Sequence, residues 1–134
     1  MTQTMATNEQ VVSLAHSLAV ERYLAVQLVA YRNSELDDTS LQAAYVDTDR
    51  RLAAVRSQSA WPSRRPGEPV YLASVEAFTA ALHDIRNRTV TSLQSLEHDA
   101  PLAPLFTFYA DVNEYLLLSV AMTTQVLASL LAVY

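Results

Sequence analysis

Glycine occurs once in these 134 residues, at Gly67, and the five prolines all fall outside the long apolar stretches. Tight reversals of the backbone draw on glycine, asparagine or proline at their corners. A chain this poor in glycine therefore predicts long helices joined by few turns. Hydrophobic residues make up 51% of it, which predicts a buried core rather than disorder. The length suits a single domain.

The breaks fall where helices need them. Asn8 is placed to cap a first helix over about residues 8–32, and "NSELDDTS" supplies turn residues with Thr39 or Ser40 opening a second helix over 40–60. "WPSRRPGEP" is the one clear loop, read as a solvated connection. A third helix starts near Pro69 or Val70, since proline is tolerated in a first turn, and runs over 70–98. "DAPLAP" breaks the chain again before a fourth helix over 102–134. The expected fold is all-α, an antiparallel up-down four-helix bundle forming one domain over 1–134.

Helical wheels at about 100° per residue place Val11, Ala15, Leu18, Ala25 and Val29 on one face of the first helix, with Arg22 near its centre. The second helix turns Leu41, Tyr45, Thr48, Leu52 and Val55 inward, with Asp49 and Arg56 at the margin. The third carries Val75, Phe78, Leu82, Ile85, Leu93 and Leu96, with Arg86 inside that face between Leu82 and Val90, while Arg88 points outward. The fourth carries Tyr109, Leu116, Leu117, Val120, Leu127 and Leu131 around Asn113. Counting equal rises from each turn brings Arg86 level with Asn113 and Arg22 near Asp49.

Two inward arginines at similar depth need anions or carboxylates to answer them. In one reading the chain's own acids do so, with Asp49 first and Glu21 or Glu114 next, and the bundle is a structural or dimerising element without a ligand. In the other, Arg22 and Arg86 hold a small anion between helices. A guanidinium offers paired planar donors that match trigonal oxyanions such as nitrate, nitrite or carboxylate. Asn113 and the Tyr109 hydroxyl add neutral donors, with Asp49 and Tyr45 in support. The first reading requires carboxylates bound to both arginines; the second requires polar room beside them.

Other classes fit less well. A net charge of −5 lacks the basic face of a nucleic-acid binder, and the absence of cysteine removes thiol catalysis, disulfides and Cys-based zinc sites. His16, His83 and His98 do not form the Glu-x-x-His pairs of a di-iron bundle. No nucleophile elbow, P-loop or haem-attachment motif occurs, so neither an enzyme nor a cofactor is expected. "MTQTMATNEQ" is not a signal peptide. The tract from Tyr115 to Tyr134 is uncharged and about as long as a membrane span. Its Ser119, Thr123, Thr124, Gln125 and Ser129 favour a bundle helix instead.

Four short stretches, in order, resemble the nitrate- and nitrite-sensing (NIT) domain family. Glu21–Arg22 resembles its "ER" signature, and "YVDTDRRL" from Tyr45 resembles its Thr-Asp segment. "LHDIRNRTV" from Leu82 resembles its Leu-x-x-Leu-Arg-x-x-Val stretch, and "FYADVNEYLL" from Phe108 its Tyr-x-x-x-Ile-x-x-Leu-Leu stretch. The chain departs from the pattern at Tyr23, where glycine is frequent, and at Ala44–Tyr45, where Gln-Arg is usual; it has no room for the second bundle of larger members. The resemblance implies an all-helical ligand-sensing domain that binds nitrate or nitrite through bundle arginines, here Arg22 and Arg86. It also implies an attached output module, such as a histidine kinase. A homodimer is expected, as is an extracytoplasmic sensing region of a membrane-anchored receptor, with a cytoplasmic sensor as the alternative.

Overall fold

The computed structural model describes the backbone of residues 2–31, 39–94 and 103–133, and the side chains of 8–29, 39–90 and 104–122. Four α-helices make up the fold: α1 (Thr2–Tyr31), α2 (Thr39–Ser57), α3 (Val75–Gln94) and α4 (Ala103–Val133). No strand occurs among the described residues. The architecture is the expected four-helix bundle. Helix α1 packs most extensively against α2 and α4. Helix α3 stands further off and reaches the others through long side chains such as Phe78, Leu82 and Arg86, as large contact residues require.

Helix α1 begins at Thr2, so Asn8 lies inside it and is not its cap. The preceding Gln, Met and Ala residues continue a helix readily and nothing among them stops it. Helix α2 opens at Thr39 and stops at Ser57, short of position 60. It stops in a Schellman arrangement: the Ala60 N–H donates to the Val55 carbonyl at 2.9 Å and the Ser59 N–H to the Arg56 carbonyl at 3.1 Å. Ser59 takes the left-handed position with φ 50°, where glycine is the usual occupant.

The third helix does not start at Pro69. Residues Val70–Leu72 form a single 3₁₀ turn, and α3 starts at Val75, where Ser74 caps it by accepting the Ala77 N–H at 3.1 Å. The segment between α2 and α3 is not a solvated loop either. Trp61 stacks on Phe78 with ring centroids 5.0 Å apart and donates its indole N–H to the Leu72 carbonyl at 2.8 Å. The Tyr115 hydroxyl of α4 donates to the Pro62 carbonyl. Ala60 and Leu72 are buried, so this segment closes one end of the core.

The core contains Leu14 and Leu18 from α1, Leu41 and Val55 from α2, Phe78 and Leu82 from α3, and Tyr109, Val112 and Leu116 from α4. Leu117, expected inside, is half exposed because the buried stripe of α4 runs through Leu105, Phe108, Val112 and Tyr115. Val90 lies at the exposed margin of α3, and Thr89 is buried in its place. Leu93, Leu96, Leu127 and Leu131 lie outside the described side chains. A polar tie fixes α1 on α2: the Ser17 hydroxyl donates to Asp47 at 2.6 Å. That bond, with those from Arg50 and Arg51, holds the Asp47 carboxyl well below the usual carboxylate range. No helix among the described residues is long and apolar enough to cross a membrane.

Candidate functional site

One charged group of α1 is fully buried, and it is Glu21 rather than Arg22. Leu14, Leu18, Ala25 and Leu28 surround it at the spacings that make up a single seam of the helix, so the bundle closes over it. Helix α3 answers with Arg86, itself 8% exposed. Glu21 Oε1 accepts from Arg86 Nε at 2.9 Å and lies 2.6 Å from Nη2. Arg86 Nη1 donates to Asp49 Oδ1 at 2.8 Å, and that carboxylate stands at the bundle surface, 55% exposed. The guanidinium lies over the Tyr45 ring, 4.4 Å from its centroid, where the ring face attracts a cation.

The surroundings leave several polar atoms unanswered. Glu21 Oε2, the Tyr45 and Tyr109 hydroxyls, Thr48 Oγ1 and Asn113 Oδ1 are all buried without a hydrogen-bond partner. Such groups are few in folded proteins because each costs about 1–3 kcal/mol to leave unpaired. Here they come from α1, α2 and α4, and the Glu21, Tyr45 and Tyr109 members lie close enough to Arg86 to share its field.

Burial sets the electrostatics. It pushes the Glu21 carboxyl up to about 7 against the pull of Arg86 and the nearby Tyr109 hydroxyl, with a smaller push in the same direction from the Asp49 charge. The Tyr109 hydroxyl bears on that carboxylate from a position outside hydrogen-bond geometry. Burial and the Glu21 charge raise Tyr45 to about 12 and Tyr109 further still. Both phenols are neutral donors at any ordinary pH.

The sequence-predicted residues therefore divide. Arg86, Glu21, Asp49 and Tyr45 converge in direct contact, and Tyr109 stands beside them. Asn113 is half-buried with its carbonyl oxygen unpaired. Glu114 is exposed and takes no part in the Arg86 ion pairs. Arg22 is half-buried, and among the described residues no hydrogen bond or ion pair engages it. The Ser17 edge of α1 faces Asp47 of α2. Arg22 lies ~140° around the helix from Ser17, away from the edge that meets Asp47. Arg86 thus has its carboxylates, and the half-buried Arg22 has none among the described residues.

One recess among the described residues has chemistry that does not suit an anion. Of about 370 Å³, between the Trp61 segment and α4, it sets Glu68, Asp111 and Glu114 against Arg65. Glu68 already holds that arginine at 2.9 Å. His16 and His83 are exposed, and His98 lies outside the described residues. Among the described residues no cluster of acidic residues and histidines is arranged to hold a metal ion.

With this geometry in place, the comparison with known families is direct. The sequence model of the family described as nitrate and nitrite sensing matches residues 13–133. The chain belongs to the NIT family. That match takes in all four helices, and it makes the chain a nitrate- and nitrite-sensing domain of the kind found in signalling proteins. No curated protein and no solved structure matches the chain. The NIT domain here is a single four-helix bundle whose buried charges gather at one level of the core.

Proposed function

We propose that this NIT domain binds a nitrate- or nitrite-sized anion between its helices and passes the event to an attached output module. The observation that carries the reading is Arg22. It is half-buried, one residue after the buried Glu21, and no carboxylate among the described residues neutralises it. Its planar donors suit a trigonal oxyanion. Arg86 is the second cation, Asn113 and Tyr109 supply neutral donors through their amide and hydroxyl groups, and Asp49 and Tyr45 hold Arg86 in place. The role is binding, not catalysis.

In the same reading the signal leaves through α1 and α4. An up-down bundle brings the start of its first helix and the end of its last to one end. A shift between these helices on anion binding is the kind of movement that subunit interfaces transmit. We assign the output to a module such as a histidine kinase, the working form to a homodimer, and the location to the extracytoplasmic side of a membrane-anchored receptor. A cytoplasmic sensor is the alternative for the last point.

A second reading has one observation in its favour. Arg86 already carries two carboxylates, as a structural bundle without a ligand requires. Calorimetric titration with nitrate and nitrite, with chloride and sulfate as controls, separates the two. The sensor reading expects saturable binding that Arg22→Ala abolishes. Absence of binding by any of the four anions would favour the structural bundle.

A further inference from the structure

Arg86 presents two edges. Nη1 faces outward to Asp49, at the surface. Nε and Nη2 form the inner edge, the pair that receives a planar oxyanion side-on. A single oxygen of Glu21 occupies that inner edge, at 2.9 Å from Nε and 2.6 Å from Nη2, and its second oxygen is buried with no partner. A carboxylate held for stability alone would engage both oxygens, because each one left bare in the core is costly. Glu21 instead holds the inner edge of Arg86 through one oxygen and leaves the other spare.

Charge decides what must happen when a true anion arrives. The groups facing Glu21 are Tyr45 and Asp49 from α2, Arg86 from α3, and Tyr109 from α4. Both phenols are neutral. With Glu21 and Asp49 ionised, Arg86 is already outnumbered, and a further anion on its inner edge would bring three negative charges against one buried guanidinium. Like charges so placed in a dry core are not tolerated together. One must be neutralised, and Glu21 is the carboxylate buried in the core, whereas Asp49 stands at the surface.

We propose that Glu21 is a built-in competitor for Arg86, and that an anion takes the inner edge of the guanidinium only as Glu21 accepts one proton from solvent. The proton goes to Oε2, the oxygen without a partner. No bond other than O–H is made, and the charge brought by the anion is offset by the charge the carboxylate loses. The inference rests on the anion reading above and adds to it a coupling between anion and proton. Burial raises the Glu21 carboxyl to about 7, so the exchange takes place near neutral pH. Nitrate affinity is then steady below that pH and falls about tenfold per pH unit above it.

The test uses the whole 134-residue chain. Sodium nitrate is titrated calorimetrically in two buffers of different ionisation enthalpy, such as Tris and HEPES, across neutral pH. The difference in heat gives the protons taken up per nitrate bound. The expected result is close to one proton well above pH 7, falling towards zero well below it. Glu21→Gln, a permanently neutral stand-in, is expected to bind nitrate with no proton uptake and with an affinity independent of pH. Saturable nitrate binding without proton uptake at any pH would overturn the coupling and leave the anion site standing. Retention of wild-type proton uptake by Glu21→Gln would overturn it too. Absence of saturable binding at every pH would overturn both. If Glu21→Gln fails to fold, the two-buffer measurement on the wild-type protein decides alone.

Discussion

Replacing Glu21 by glutamine should change how stability depends on pH, by an amount that follows from burial. The carboxyl has an ordinary value of 4.5 and is raised to about 7 in the folded protein, chiefly by desolvation. Between those two values the folded chain keeps a proton that the unfolded chain has released. Stability therefore falls as pH rises through that window and is flat above it. At about 1.4 kcal/mol per pH unit, ionising Glu21 in the core costs folding about 3 kcal/mol. Glutamine keeps a carbonyl for Arg86 and has nothing to ionise. Urea unfolding of wild type and Glu21→Gln, compared at each pH, cancels the contributions of groups common to both proteins. Wild-type stability relative to the variant should decline by about 3 kcal/mol from below pH 4.5 to above pH 7, then level off. Parallel stability curves across that window would refute the account of a strained buried carboxylate.

Other expectations follow from the same contacts. Arg86→Ala strips Glu21 of its cation in the core and should cost about 3–5 kcal/mol, whereas Arg22→Ala removes no observed pairing and should stay within about 1 kcal/mol; equal losses in urea unfolding would contradict the division between the two arginines. Ser59→Gly relieves a left-handed backbone at the end of α2, where φ is 50°. The relief outweighs the extra freedom of the unfolded chain, so the melting temperature should rise by a few degrees, worth about 0.5 kcal/mol.

The bundle was legible because its punctuation is. One glycine and five grouped prolines leave few places to turn, and the inward residues of α2 and the start of α3 follow helical spacing. The errors have local causes. Ser74 caps α3 and so displaces its start from Pro69 to Val75, a choice between two nearby stop signals that spacing does not rank. Trp61 reads as a loop aromatic until Phe78 and Tyr115 are known to lie beneath it, which only tertiary contact reveals.

At the site, Arg86 was readable because it interrupts a single apolar stripe. Helix α1 is harder, since it has two. Leu14, Leu18, Ala25 and Leu28 form a seam through Glu21, while Ala15, Leu18, Ala25 and Val29 form one through Arg22. A bundle helix with two main neighbours buries a broad arc, and both positions fall within it. The signal for Glu21 was present in its own spacing. What the sequence could not rank was which of two adjacent charges the core would close over.

All nine basic residues of this chain are arginines, so each has one Nε–H signal in a proton–nitrogen correlation spectrum. Titrating the labelled protein with sodium nitrate, with sodium chloride as control, reads the binding groups directly. The anion-sensing account predicts that the Nε–H signals of Arg22 and Arg86, assigned with Arg22→Lys and Arg86→Lys, move saturably with nitrate and not with chloride. The exposed arginines at 50, 56, 64 and 88 should stay where they are. Stationary Arg22 and Arg86 signals at saturating nitrate would contradict it.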